Sequence, residues 1–225
     1  MKLDKHFAGI DDVESWFKIR PPKKGVKQWA DGRSAKELAK YITANLPVVP
    51  KEIEDNLRDI VPADAIFDWD AEYVTKLPGD GEGRNHDAIL FNKDIVVAIE
   101  AKADETLGEL IEKELQEASV NKMYRISNLL SCIFGGGFKG YKKLRYQLLT
   151  ASVGAILEAQ KRGCNVAAFL VVVFKSNGKV AEEKLATNHK DIEEFLKATK
   201  AYEEKSLYVI PNNSNVKLYF KEIVI

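Results

Sequence analysis

Apolar residues recur along this chain with two different periods, and the switches between them divide it into elements. From Ser34 to Leu46 the positions Ala35, Leu38, Ala39, Ile42 and Leu46 form one stripe, which predicts an amphipathic helix. Lys51 to Ile60, following Pro50, reads as a second, short helix. Ala65 to Leu77, with Phe67, Trp69, Tyr73 and Val74, is strand-like, and the turn-rich stretch Pro78 to Asn85 ends it. Two strands follow, His86 to Phe91 and Asp94 to Ala101, joined by Asn92 and Lys93 in a connection short enough for a hairpin. Thr106 to Phe134 predicts a long helix closed by Gly135, Gly136 and Gly137, and Tyr141 to Arg162 another, stopped at Gly163. Asn165 to Phe174 is a continuous Val-rich apolar run, as expected of a strand buried on both faces and ended by Ser176, Asn177 and Gly178. A charged helix over Asp191 to Glu204 and edge strands near Leu207 to Ile210 and Val216 to Ile223 complete the chain. This order predicts an α/β sandwich with a mixed sheet in a single domain, not a regular βαβ repeat.

Composition narrows the class. The 225 residues include 34 acids and 34 lysines plus arginines, 45% are hydrophobic and 30% charged, which describes a soluble globular protein of one core or at most two small domains. The longest apolar run, 166–174, is far below the roughly 20 residues of a spanning helix. The N-terminus has no apolar region of signal-peptide type, so a cytoplasmic protein without membrane contact is expected. Cys132 and Cys164 form no metal-spaced pair and read as buried core residues.

The chemistry concentrates between His86 and Lys102. Alternation along a strand puts Glu100 and Lys102 on one face. With Asn92 and Lys93 as the hairpin loop, Asp87 faces Ala98 and lies on the same side as Glu100, diagonal to it and about 7–8 Å away. Two carboxylates and a lysine among Ile95, Val96, Val97, Ala98 and Ile99 are costly unless they pair or hold a metal, and oxygen ligands of this kind suit Mg²⁺ or Mn²⁺. An ion pair of Lys102 with Glu100 or Asp87 at a strand end is the simpler alternative.

Asp87, followed after twelve residues by Glu100-Ala101-Lys102, resembles the D…(D/E)-x-K signature of the PD-(D/E)xK superfamily. The predicted order of helix, three strands, helices and buried strand over 34–174 is similar to that superfamily's core. Trp29 to Ala39 and Glu100 to Glu105 also resemble an uncharacterised bacterial group assigned to it. The resemblance implies a restriction-endonuclease-like core, a mixed sheet with an antiparallel three-strand meander flanked by helices. It further implies a metal-dependent nuclease in which Asp87, Glu100 and the main-chain carbonyl of Ala101 bind Mg²⁺ or Mn²⁺. Lys102 would then orient the attacking water and stabilise charge on the phosphate.

Relatives often add a glutamate from the first core helix, for which Glu37 is the positional candidate. Ser34 to Glu37 is equally an S-x-x-E capping box, and Glu37 projects away from the apolar stripe. A glutamine on a later helix corresponds to Gln147, whose alternative is a bond to nearby backbone. Glu105 reads as a first-turn helix acid or as a carboxylate behind the ligands. His86, where many members have proline, is expected on the face opposite Asp87 as a packed or surface residue.

Two basic stretches with interleaved aromatics would serve nucleic acid. One carries Lys23, Lys24 and Lys27 beside Trp16, Phe17 and Trp29; the other carries Lys139, Lys142, Lys143 and Arg145 beside Phe138, Tyr141 and Tyr146. Either is also an ordinary solvated surface. The expected partner is nucleic acid, DNA before RNA, cut by a possible homodimer. The alternatives are a catalytically silent binding or assembly module and a metal-dependent hydrolase of a small phosphorylated molecule.

Overall fold

A computed structural model describes residues 1–4, 9–79, 81–116, 118–136, 140–175 and 179–225, with the side chains of 179–181 outside the description. His6, Gly137, Phe138, Lys139 and the predicted stop at Ser176, Asn177 and Gly178 fall outside these residues. The elements run β1 (Lys2–Leu3), α1 (Val13–Ile19), a 3₁₀ turn (Gly25–Gln28), α2 (Ser34–Thr43), α3 (Lys51–Leu57), β2 (Ile66–Thr75), β3 (Arg84–Phe91) and β4 (Ile95–Lys102). There follow α4 (Ile111–Gln116), α5 (Val120–Phe134), α6 (Tyr146–Arg162), β5 (Val166–Val173), α7 (Lys179–Thr199), β6 (Tyr202–Glu204), β7 (Leu207–Ile210) and β8 (Lys217–Val224).

All eight strands join one mixed sheet in the order β1-β2-β3-β4-β5-β8-β7-β6. The sheet is thus not the three-strand meander expected. β2, β3 and β4 are antiparallel neighbours within it, β4, β5 and β8 run parallel, and β1 adds a parallel edge to β2. Helices cover both faces. The stripe of α2 packs with Trp16, Ile53, Phe67 and Val97 in one core, and α5, α6 and α7 pack Leu129, Leu148, Ile156 and Phe195 over the other. Every residue of β4 is buried, because two helical layers leave its faces no water. No helix among the described residues is long and apolar enough to cross a membrane.

Several boundaries differ from expectation for identifiable reasons. The long helix from Thr106 divides: residues 106–110 are not helical, and Leu110 forms a bridge with Arg145 instead. The backbone of residues 142–144 accepts from the start of α4 (Glu112 to Lys142 and Ile111 to Leu144, both 2.9 Å), which delays α6 to Tyr146. The last helix begins at Lys179 and ends at Thr199, where Lys200 takes φ +56° and residues 202–204 become an edge strand. β8, expected as an edge, lies inside the sheet between β5 and β7, since Leu218, Phe220 and Ile223 supply buried side chains to both faces. Cys164 is buried as expected, but Cys132 is only half-buried.

Candidate functional site

The hairpin between β3 and β4 sets the site. Asn92 bonds Ile95, so Lys93 and Asp94 form its two-residue loop and the register is Phe91↔Val96 through Ala88↔Ile99. That is two positions from the expected register. The even shift keeps the facing relation but sets Asp87 directly across from Glu100, one step beyond the last ladder pair, rather than diagonal to it. There β3 leaves β4. Ala101 donates its N–H to Asp87 Oδ2 at 2.7 Å, and because N–H and C=O of one strand residue leave the same edge, its carbonyl opens onto the same gap.

The other side of β3 also changes at this point. The β2–β3 register passes from Ala71↔Ala88 to Tyr73↔His86 across Glu72, which sits at φ +47°. Ala88 packs in the α2 core, whereas His86 lies against Gly154 of α6, so simple alternation does not carry through Asp87. His86 is fully buried, and neither ring nitrogen has a partner among the described residues; burial, reinforced by Arg84, lowers its pKa to about 3. A Cβ on Gly154 would stand 2.8 Å from His86 Nε2, so only glycine gives the ring room.

Asp87, Glu100 and Lys102 line one polar pocket of about 160 Å³ with Glu72, Arg84 and Gln147. Larger apolar hollows lie elsewhere, one of about 450 Å³ beside the hairpin loop, and hold none of these groups. Lys102 Nζ donates to Glu100 Oε1 at 2.8 Å, and Arg84 forms an ion pair with the other oxygen of Glu100. Burial works to raise the Glu100 pKa, but Arg84 and Lys102 outweigh it and hold the acid at about 2. Burial likewise opposes the Lys102 charge, and Glu100, Asp87 and Glu105 overcome it and keep the ammonium above its usual range. Asp87 behaves oppositely. It has no ion pair among the described residues, and burial together with Glu100 and Glu72 raises its pKa well above the carboxylate range. Burial also pushes Glu72 up to about 7.

Of the remaining candidates, Gln147 reaches the pocket from the first turn of α6, and its buried Oε1 has no partner among the described residues. Its side chain would collide with any Cβ on Gly108, at 2.8 Å. Glu37 does not line the pocket. It accepts from Gly32 N and from Lys40, both at 2.9 Å, since its position on α2 points away from the buried stripe. The capping box is not formed as expected either: Arg33 is the N-cap, and the Ser34 hydroxyl donates to Glu105. Glu105 is not in a helix and lines the pocket 4.0 Å from Lys102. The loop carrying it is pinned by buried Asn188 of α7, which accepts from Leu107 N at 3.1 Å and donates to Glu105 O at 2.9 Å.

The basic stretches separate. Lys23 lines the Asp87 pocket and pairs with Glu82. Lys24 and Lys27 line an adjoining pocket of about 410 Å³ and form no ion pair among the described residues. In the second stretch Lys142 and Lys143 are exposed, but Arg145 is committed to Asp191 (2.6 Å) and Gly108 O (2.8 Å), which leaves it little freedom to meet a ligand. The aromatics are mostly structural: Trp16 is buried against Trp69, and Tyr141 stacks on Phe134 at 3.9 Å. The sequence reading missed Arg84 and Glu72, which stand on neighbouring strands with no motif to mark them.

Among the described residues no group of three or more His, Cys, Asp or Glu side chains is arranged to hold a metal ion. The donors nevertheless suit a hard divalent cation in kind. Asp87, Glu100 and the Ala101 carbonyl are all oxygen ligands, and Asp87 is a surrounded carboxyl beside two more acids with no cation of its own. Glu100 is tied to Arg84 and Lys102.

Fold and site together define a mixed α/β protein with a charged cluster set where two central strands part. The chain belongs to the family described as Domain of unknown function (DUF6946), whose model matches residues 9–224. No curated protein and no solved structure matches it.

Proposed function

We propose that this protein is a cytoplasmic, divalent-metal-dependent nuclease of the PD-(D/E)xK type, hydrolysing phosphodiester bonds of DNA in preference to RNA. The observation that carries this reading is the convergence of Asp87, Glu100, Lys102 and Gln147 on one small polar pocket at the point where β3 and β4 part. Asp87, Glu100 and the Ala101 carbonyl would hold Mg²⁺ or Mn²⁺, which when bound supplies Lewis acidity toward water and phosphate oxygen. Lys102, fixed by Glu100 and kept charged, would orient water and stabilise charge growing on the phosphate. The unpartnered amide oxygen of Gln147 would accept a hydrogen bond from that water.

The double tie on Glu100 favours one competing reading, a binding module in which the constellation survives as a closed ion-pair network. A cleavage assay separates the two. Plasmid, linear duplex, single-stranded DNA and structured RNA are incubated with Mg²⁺ or Mn²⁺ and with wild-type or Lys102→Ala protein. The nuclease reading expects cleavage that falls at least about 10²-fold in the variant, the scale of losing one charge-stabilising donor. It also expects Mn²⁺ binding by calorimetry that weakens in Asp87→Asn. Absence of cleavage on every substrate with either metal sinks it, and absence of Mn²⁺ binding as well points to the binding module.

A further inference from the structure

The 410 Å³ pocket shares Gln28, Ser34, Lys102, Glu105 and Gln147 with the Asp87 pocket, so the two adjoin along these side chains, a cleft of two pockets. One wall is residues 22–34, and the other is the end of β4, the loop after it and the start of α6. The first wall is tied down at intervals. Arg20 clasps Asp70 of β2 through two hydrogen bonds of 3.0 and 3.1 Å, Lys23 pairs with Glu82 in the β2–β3 turn, and Arg33 pairs with Asp104 at 2.9 Å. The first two ties anchor this wall to β2 and the β2–β3 turn, and the third joins it to the loop after β4 on the other wall. They also consume the positive charge of Arg20, Lys23 and Arg33, which leaves Lys24 and Lys27 as cations of this wall that form no ion pair among the described residues. Both line the adjoining pocket, next to the one that holds Asp87 and Glu100. Gln147 lines both pockets, and its buried Oε1 has no hydrogen-bond partner among the described residues.

We propose that this cleft receives a single strand of nucleic acid, with Lys24 and Lys27 on the phosphate next to the one held at Asp87 and Glu100. The assignment rests on the phosphodiesterase reading above and narrows its substrate. A strand of single width passes between walls joined by Arg33–Asp104, whereas a duplex brings a second backbone that this link opposes. Phosphate contact at two lysines is electrostatic and therefore carries a defined salt dependence, about 0.7 per contact in the logarithmic slope for single strands.

Fluorescence anisotropy in EDTA tests it without requiring turnover. The probes are a labelled single-stranded DNA, the RNA of the same sequence, and a duplex closed by hairpins at both ends. Wild-type protein should bind a single strand at least tenfold tighter than the closed duplex, and comparison of the DNA and RNA arms identifies which sugar is preferred. Lys24→Gln/Lys27→Gln should reduce the salt slope by about 1.4, two contacts of about 0.7. A Lys93→Gln/Lys190→Gln protein, altered at exposed positions away from the cleft, should keep the wild-type slope. Equal affinity for the closed duplex, or an unchanged slope in the Lys24/Lys27 protein, overturns the proposal even if the protein cleaves. Lysine-dependent single-strand binding without cleavage by any metal-loaded protein supports the cleft and overturns the nuclease reading alone.

Discussion

The carboxyl of Glu72 shows how far this site departs from ordinary protein surface. It lies on β2, accepts from Asn85, and is raised to about 7 because burial disfavours its charge and Glu100 adds to the cost. Its unfolded value is that of a free glutamate, so the folded chain holds the proton more tightly than the unfolded one between about pH 4.5 and 7. Stability is therefore lost as pH rises through that window. Glu72→Gln keeps the acceptor for Asn85 and removes the charge. The variant should match wild type below pH 4.5 and exceed it progressively to pH 7, by as much as about 3 kcal/mol, since each pH unit of the window contributes roughly 1.4 kcal/mol. Urea denaturation across that range checks it, and a gain that is independent of pH would refute it. Nothing in the sequence marks Glu72 or Arg84. Asp87, Glu100 and Lys102 are legible there because they share one hairpin, where period and spacing constrain facing. The partners of Glu100 depend on how β3 bends at Asp87, which no local pattern encodes.

At the scale of elements, β3 and α6 meet closely at His86 and Gly154. Gly154→Ala would gain up to about 1 kcal/mol of helix propensity, yet the added methyl meets a buried ring at 2.8 Å. Overpacking of this kind costs about 1–3 kcal/mol, so a net loss of stability is expected. A thermal melt of the variant that equals or exceeds wild type would show that the helix and strand can separate freely. Helices with a clean apolar stripe, such as α2, are readable from sequence, as is β5 from its unbroken, Val-rich apolar run. Residues 106–110 and 141–145 look helical in sequence but are not, because their backbone groups are spent on each other. Leu110 bridges Arg145, and Arg145 holds Gly108 and Asp191. That choice is tertiary and leaves no periodic trace. The inner position of β8 escapes the sequence for a related reason, since strand order is not written in any one strand.

At the scale of the whole molecule, β8 is the strand on which the second half of the sheet depends, paired in parallel to β5 and antiparallel to β7. A chain ending at Asn215 should lose cooperative unfolding, because Leu218, Phe220 and Ile223 leave both cores at once. A sharp single transition for that truncation would contradict the central placement. The same long-range dependence reaches the pocket through Asn188. Its two bonds to the segment after Lys102 span 81 and 83 residues of chain, so Glu105 acquires its final position only when α7 has docked. On the ribosome, the hairpin with Asp87, Glu100 and Lys102 emerges long before that helix. The nascent chain therefore carries the acids and the lysine well ahead of the helix that fixes the loop beside them. A chain cut short before α7 would keep the hairpin residues but lack both bonds that hold the loop carrying Glu105.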